Sequence, residues 1–422
     1  MTSSNQRGFY FLNVTQFLGA ANDNILKQVL IFGLAVGGVW ADVLGPGGQA
    51  WASLCLAIPF VLLSGFAGQY SDKYSKRRVT ILSKWSEILI AMVAMVGLWL
   101  TNLWLVLFAL VIIAIQSTFF SPSKFGILPE IIPEEKLSRA NGTINMFTYI
   151  AIILGCAVGG PLYSAYAPDL AKHPDATRML WLPGAVLLIV GVLGTIASHG
   201  LPVVPAQNPK LKIRYRLFEG YIQTWRQLRG TTLKTVLIAW SFFYMIIAGV
   251  AVLILPDYKE LLDITYTQTS LLMALLGIST GVGDYVAGRI SGSHIRPALV
   301  PIGASVTAAA FLALGLIPPN VVLVAVLLAV GGFTCGFVMV PLQTMVQHLS
   351  SREQRGQVLG LWNCGSFVGI IIGNLLFLAI KNVGVPSYRV FILCAMLTVI
   401  LQILYHTRWH KRFAESVVRV NA

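Results

Sequence analysis

The chain has 422 residues, of which 56% are hydrophobic and only 11% are charged. Soluble domains carry about 25% charged residues, so this composition excludes an ordinary soluble globular protein. The formal net charge of +14 could suggest nucleic-acid binding. The basic residues, however, fall in short segments between apolar runs, where they act as topology signals and contact anionic lipids, so no nucleic-acid partner is expected.

Apolar segments of about 20 residues recur along the chain, and each is long enough to cross a bilayer as a helix. The pattern predicts an all-α polytopic membrane protein with twelve transmembrane helices in two halves of six. The predicted spans are 9–38, 49–70, 79–101, 103–121, 141–166, 180–198, 233–256, 266–290, 297–317, 319–345, 357–380 and 386–408.

The predicted domains are a six-helix bundle (1–198), a cytoplasmic connector (199–232), a second six-helix bundle (233–408) and a basic tail (409–422). The connector begins Pro-rich and becomes basic and amphipathic, which predicts a position on the membrane surface. If the N-terminus is cytoplasmic, 23 Lys and Arg residues fall on the cytoplasmic side and 5 on the other. By the positive-inside rule, both termini are expected in the cytoplasm.

The two halves of the chain resemble each other around their fourth and fifth predicted spans. One proline and two glycines recur at matching places, and 13 residues separate the two glycines in both copies. The matching pairs are Pro122 with Pro341, Gly142 with Gly360, and Gly155 with Gly373. Two six-helix halves related by an axis along the membrane normal are the architecture of major facilitator transporters.

The segment "GQYSDKYSKRRVTI", residues 68–81, joins the second and third predicted spans. It resembles the signature loop of the major facilitator superfamily, with Ser75 in place of a second glycine. A glycine allows close helix approach, and an acid at a helix end can pair with a helix N-terminus and a basic group. A cytoplasmic gate that latches the halves is therefore predicted; the alternative is topology-setting charge alone. The gate residues are Gly68, Asp72, Lys73, Lys76, Arg77, Arg78, Glu130 and Arg139.

The first predicted span carries polar side chains in its middle, within "QFLGAANDNILKQV". Ionisable groups in a span cost about 2.5–3.5 kcal/mol each on insertion, so these groups should face a cavity. Asp23 and Lys27 are four residues apart and can pair on one helix face. These polar residues of the first span form either a ligand site or a structural ion pair. They are Asn13, Gln16, Asn22, Asp23, Asn24 and Lys27.

A second polar set, Lys124 with Glu130 and Arg139, falls near the cytoplasmic end of the fourth and fifth spans; solvated loop charges are the alternative. Asn145 and Tyr149, one turn apart, either complete a binding pocket or pack in the core.

Asp284 is a lone acid in the eighth span, and it is either a proton or cation site or an interhelical hydrogen-bond partner. Lys84, Trp85 and Glu87 are interpreted as anchors at the membrane interface.

Two stretches, "QFLGAANDNILKQ" and "FFSPSKFGILPEIIPEEKLSRANG", closely resemble the lysophospholipid transporter family. The resemblance implies a monomeric, multi-pass flippase of the bacterial inner membrane that moves lysophospholipids to the cytoplasmic leaflet without an energy source. A separate lysophospholipid acyltransferase/acyl-carrier-protein synthetase would reacylate them. In such a site Lys27 would bind the phosphate, Asp23 an ethanolamine, and Asn22 or Asn24 the glycerol hydroxyl.

Motifs for acyl transfer, nucleotide binding, serine hydrolysis and zinc proteolysis do not occur, so neither an enzyme nor a cofactor or metal is expected. The alternative function is a proton-coupled exporter of amphipathic drugs or small solutes, which would need a titrating acid. A lipid sensor that binds without flux is a third class.

Overall fold

The computed structural model describes residues 3–34, 38–44, 49–168, 177–216, 218–255, 261–264, 266–292, 294–318, 320–409 and 413. Within these ranges the chain forms helices joined mostly by short connections. The helices are α1 (Ser3–Leu34), α2 (Ala41–Leu44), α3 (Gln49–Lys73), α4 (Lys76–Trp99), α5 (Leu103–Ile131), α6 (Leu137–Tyr166), α7 (Leu182–His199), α8 (Glu219–Gln227), α9 (Thr232–Tyr244), α10 (Tyr266–Ser291), α11 (Leu299–Leu316), α12 (Val321–Leu349), α13 (Arg355–Asn382) and α14 (Val390–Leu404).

Ten helical segments in the described part of the chain are long and apolar enough to cross a membrane, and they coincide with the last ten predicted spans. The helices at the first two predicted spans, α1 and α3, have 32 and 25 residues. Both exceed the length of about 20 residues that a crossing needs. The predicted tail, 409–422, lies almost wholly outside the described residues.

Helix α5 is longer than the sequence predicts. The predicted span ends at residue 121, because Pro122 and Lys124 follow it, but the helix continues through Pro122 and Pro129 to Ile131. Proline is tolerated in membrane helices when neighbouring groups satisfy the freed backbone carbonyls. As a consequence, Lys124 and Glu130 lie on a helix and not in a solvated loop.

The seventh predicted span is not one regular helix. After α9 the chain continues as a π-helix from Met245 to Ala251 and then as one α-helical turn. Gly249 in this segment lies against Gly373 of α13, since an added Cβ would come within 2.9 Å of the Gly373 Cα. The close contact fits the rule that small residues allow membrane helices to approach.

The chain divides into two compact units. Unit 1 contains residues 1–131 and 150–220, and unit 2 contains residues 132–149 and 221–422, so the first half of α6 packs with unit 2. Each unit has its own apolar core. Large apolar side chains such as Leu89, Trp104 and Leu375 are more than half exposed, as expected for surfaces that face lipid.

In unit 2, α10 and α12 pack almost backbone to backbone. Gly332 and Gly336, four residues apart on α12, face α10, and Gly283 of α10 faces the backbone of Phe333. A small residue at every fourth position is the packing motif that lets membrane helices touch. This contact holds Asp284, the residue after Gly283, inside the unit.

Candidate functional site

Consecutive polar residues of α1 are directed at different helices, because neighbouring side chains of an α-helix are about 100° apart. Asn22 is 1% exposed, and its Nδ2 donates to Glu87 Oε1 of α4 at 2.9 Å. Asp23 keeps some accessible surface, and its Oδ2 accepts a hydrogen bond from Ser117 Oγ of α5 at 2.8 Å. The middle of α1 is therefore bonded to α4 on one side and to α5 on the other.

Glu87 forms a buried ion pair with Lys84 one turn earlier on α4. Lys84 Nζ lies 2.5 Å from Glu87 Oε2, and both side chains are 1% exposed. Gly19 of α1 makes room for this pair, because a Cβ there would collide with Lys84 Nζ. The prediction that Lys84 and Glu87 anchor the chain at the membrane interface is therefore wrong; of that group only Trp85, 53% exposed, has a surface position.

Lys124 of α5 is the second buried lysine. It is 8% exposed, and its Nζ lies 4.2 Å from the centroid of the Phe125 ring and 5.9 Å from that of Phe120. Lys84 Nζ lies 5.2 Å from the same Phe120 ring. A cation over an aromatic face is attracted by the ring quadrupole, so the two phenylalanines help to hold the two ammonium groups in an apolar setting.

Asp23 lies within electrostatic range of Lys84, Glu87 and Lys124. We call these four residues the charge cluster. Two carboxylates and two ammonium groups give it no net charge, which is the arrangement that makes buried charges tolerable. The cluster therefore places both acidic and basic groups at the meeting point of α1, α4 and α5.

The predicted Asp23–Lys27 ion pair is not found among the described residues. Lys27 lies on the side of α1 that faces α6, near Cys156. Asn24 is on the same side, where an added Cβ on Gly155 would come within 2.9 Å of the Asn24 Cβ. Residues four apart can pair on an isolated helix, but here Asp23 turns to the hydroxyl and the lysines of neighbouring helices.

Asn13 and Asn24 of α1 donate to backbone carbonyls of their own helix. Asn13 Nδ2 donates to the Phe9 carbonyl at 2.8 Å, and Asn24 Nδ2 donates to the Ala20 carbonyl at 2.7 Å. Both amides thus satisfy carbonyls of their own helix. Gln16 is buried at 4% exposure.

Basic residues of the predicted gate are bonded inside unit 1. Lys76, 0% exposed, forms an ion pair with Glu130 at 2.6 Å. Arg77 donates through Nε to the Leu201 carbonyl at 2.7 Å and through Nη2 to the His199 carbonyl at 3.1 Å. Asp72 and Gly68 are buried, Lys73 is half-buried, and Arg78 and Arg139 are exposed.

The start of the connector runs along the gate loop without regular helix. Ser75 Oγ donates to the Val204 carbonyl at 2.6 Å, and the Asn208 amide donates to the Asp72 carbonyl at 2.9 Å. Ser75, which replaces a glycine of the family signature, therefore binds the connector. In the described connector, helix α8 spans only nine residues, shorter than the predicted amphipathic stretch.

Asn145 belongs to a buried amide network in unit 2 that the sequence analysis missed. Asn141 Nδ2 donates to Gln347 Oε1 at 2.7 Å and to Thr344 Oγ1 at 3.1 Å, and Gln347 Nε2 donates back to Asn141 Oδ1 at 3.0 Å. Gln343 Nε2 donates to Asn141 Oδ1 at 3.0 Å, and Asn145 Nδ2 donates to Gln343 Oε1 at 2.9 Å. The available signal was three polar residues at one face of an otherwise apolar helix, α12.

Tyr149 and Asp284, also in unit 2, are grouped separately from the charge cluster. Tyr149 lies within electrostatic range of Asp284 and Tyr244. Buried polar groups thus occur in both units of the described structure. Asn145 and Tyr149, predicted either to complete a binding pocket or to pack in the core, belong to unit 2, the unit that contains Asp284.

Comparison with known proteins agrees with this architecture. A family model described as the Major Facilitator Superfamily matches residues 12–373 and 237–416. The chain is 26% identical over 396 residues to the lysophospholipid transporter LplT of Yersinia enterocolitica, covering 90% of this chain and 89% of that protein. It is 26% identical over 374 residues to LplT of Serratia proteamaculans, covering 87% of each.

Two solved structures have a similar fold. The human organic anion transporter MFSD10 aligns with a TM-score of 0.77 at 15% identity, covering 95% of this chain and 99% of that one. FucP in its outward conformation aligns with a TM-score of 0.77 at 13% identity, covering 96% and 99%. Both are transporters and not enzymes. The chain belongs to the Major Facilitator Superfamily.

Proposed function

We propose that the chain is a lysophospholipid transporter of the bacterial inner membrane. It moves lysophospholipids such as lysophosphatidylethanolamine to the cytoplasmic leaflet by alternating access, where a separate acyltransferase/acyl-carrier-protein synthetase restores the second acyl chain. The relatives named LplT support the substrate class at modest identity over most of the chain. The observation that carries the proposal is the charge cluster.

A lysophosphatidylethanolamine headgroup is a zwitterion, and the charge cluster offers one partner of each sign. Asp23 retains accessible surface and can accept the ammonium, while Lys124 can donate to the phosphate. Both are held now by weaker partners, a hydroxyl and two aromatic rings. Exchange of those partners for a headgroup keeps every charge paired, which a singly charged ligand cannot do.

The proposed substrate-binding residues include the charge cluster, and the acyl tail is proposed to lie along apolar helix faces. In unit 1 they are Asn13, Gln16, Asn22, Asp23, Asn24, Lys27 and Lys124, to which we add Lys84 and Glu87, and in unit 2 they are Asn145 and Tyr149. The proposed gate keeps its eight residues. The buried ion pair between Lys76 and Glu130 supports it, because the environment of that pair would change when the cytoplasmic side opens.

The proposed topology has twelve spans with both termini in the cytoplasm, in a monomer. An epitope tag placed after Ala422 should resist protease in intact spheroplasts and be digested after lysis. Digestion in intact spheroplasts would overturn the topology. A tag inserted between residues 166 and 180, in the proposed periplasmic connection of the fifth and sixth spans, serves as the positive control for protease access.

Uptake of radiolabelled lysophosphatidylethanolamine into spheroplasts tests the proposed function. We expect Asp23→Ala and Lys124→Met each to lower the initial rate by about tenfold or more, since a charged hydrogen bond is worth about 1.5–3 kcal/mol. The matched control is Asp42→Asn, which removes an exposed carboxylate outside the cluster and should keep the native rate.

The same assay separates the alternatives. Uptake that survives a protonophore at unchanged external pH supports movement that needs no proton-motive force. If native protein is present in the membrane at normal amounts and no uptake is seen, the lysophospholipid proposal is wrong. Binding without flux would instead indicate a lipid sensor, and drug-dependent efflux an exporter.

A further inference from the structure

Asp284 is a fully buried acid that the proposed headgroup site does not use. It lies in α10 at 0% exposure, and neither of its carboxyl oxygens has a hydrogen-bond partner among the described residues. The titratable groups within electrostatic range of it are Tyr149 from α6, Tyr244 from the seventh span and Cys335 from α12. None of these three side chains carries a positive charge.

The nearest basic residue on α10 is also unsuited to neutralise Asp284. Arg289 is exposed, and its guanidinium lies 4.8 Å from the centroid of the Tyr285 ring. The Asn145 amide donates through Nδ2 to Gln343 Oε1 and lies close enough to the Asp284 carboxyl to favour its charged form, but an amide supplies no positive charge. Within the described part of unit 2, therefore, no cation compensates a charge on Asp284.

A carboxylate that is fully buried without a compensating cation is so unfavourable that the group takes up a proton instead. We propose that Asp284 is a proton-binding site, loaded in the packing described here and unloaded when α6 separates from α10, so that transport is linked to protonation. Loading forms one O–H bond between a carboxylate oxygen and a proton from water. Unloading breaks that bond and returns the proton to water, with no redox change.

Gly142 links the proton site at Asp284 to the separation of α6 from α10. An added Cβ on Gly142 would collide with the Asp284 carbonyl, so this turn of α6 lies directly on the backbone at Asp284. Gly142 sits between Asn141 and Asn145, the two α6 members of the amide network. Breaking that network lifts α6 from α10 and admits water to the carboxyl group.

The direction of the coupling follows from charge. A neutral Asp284 is compatible with the close packing of α6, α10 and α12, whereas an ionised one favours the opened, hydrated arrangement. As pH rises, the packed state becomes less populated, and a cycle that must pass through it slows. The transport part of this inference rests on the proposed function, but the proton site itself does not.

Infrared difference spectroscopy of the purified full-length protein in proteoliposomes tests the site directly. At neutral pH the native protein should show the carbonyl stretch of a protonated carboxyl, and Asp284→Asn should lose it. The Asp42→Asn control, an exposed site, should retain it. An unchanged band in Asp284→Asn overturns the proposal, as does a native band that appears only when sodium is replaced by choline, which would indicate a cation site.

A second variant keeps the test decisive if Asp284→Asn does not fold. Asn141→Ala leaves the acid in place and weakens the network that covers it, so the band should titrate away at lower pH than in the native protein. Titration at the native pH in Asn141→Ala would contradict the proposed coupling to α6.

Uptake measured between about pH 6 and about pH 8 tests the link to transport. Native initial rates should fall by about fivefold or more toward the alkaline end, while Asp284→Asn, which mimics the neutral acid, should change less than about twofold. Equal pH profiles overturn the link. If the native protein transports no lysophospholipid but shows the Asp284 band, the proposed function fails and the proton site stands.

Discussion

Replacing Glu87 by alanine is expected to lower the free energy of unfolding by about 3–5 kcal/mol, because removal of one partner leaves the other charge buried and unpaired. Lys84 Nζ, 1% exposed, would lose the carboxylate 2.5 Å away. Asn22 Nδ2 would lose the acceptor that ties α1 to α4. Thermal unfolding of the purified protein in detergent is the measurement.

Two further variants identify the cause. The double replacement Lys84→Met with Glu87→Met removes both charges while keeping bulk, so it should recover most of the lost stability. Glu135→Ala, at an exposed position, should change stability by less than about 0.5 kcal/mol. If the double variant is as unstable as Glu87→Ala, the loss comes from packing or from Asn22, and the ion pair is not its source.

The spans follow closely from the sequence, because a run of apolar residues long enough to cross a bilayer has few other stable positions. Helices α3, α10 and α13 each begin within a few residues of the predicted start. The end of α5 is missed because proline and lysine normally end an apolar run. Their effect depends on neighbouring helices that a single segment does not reveal.

Only some residues of the candidate site can be predicted from the sequence. Asp23 stands out because a charge within an apolar run is costly, and the structure leaves it half-buried between α1 and α5. Lys124 lies beyond the end of its predicted span, so the sequence leaves a solvated loop position open for it. Lys84 and Glu87 do not stand out, since a charged pair near the start of a span also fits an interfacial anchor. The buried position of Lys84 depends on Gly19 of α1, which leaves room for its ammonium group and cannot be recognised from the sequence around Lys84 alone.

Pairing between side chains is the least predictable feature. Spacing along one helix predicts that Asp23 can reach Lys27, but spacing says nothing about Ser117, which lies 94 residues away and bonds to Asp23 instead. The same limit hides the amide network, in which Asn141 and Gln347 are 206 residues apart. Such contacts can be predicted only when the packing of the helices is known, and that packing depends on glycines at the helix contacts.

Glycines on α12 should therefore differ sharply in their tolerance of alanine. At Gly336 an added Cβ would collide with the backbone of Gly283 and lie 2.8 Å from the Asp284 Cα. Backbone cannot move aside like a flexible side chain, so Gly336→Ala should cost about 1–3 kcal/mol of stability. Thermal unfolding in detergent, under the conditions used for the Glu87 variants, measures this cost.

The matched control is Gly331→Ala, five residues earlier on the same helix. Its Cβ would meet only the Ala310 Cβ at 3.6 Å, an ordinary contact. Since alanine favours a helix over glycine by about 1 kcal/mol, this variant should be neutral or slightly stabilised. Equal effects at the two positions would contradict the close approach of α10 and α12. A loss confined to Gly336 would show that the packing around Asp284 is as tight as the proton-binding proposal requires.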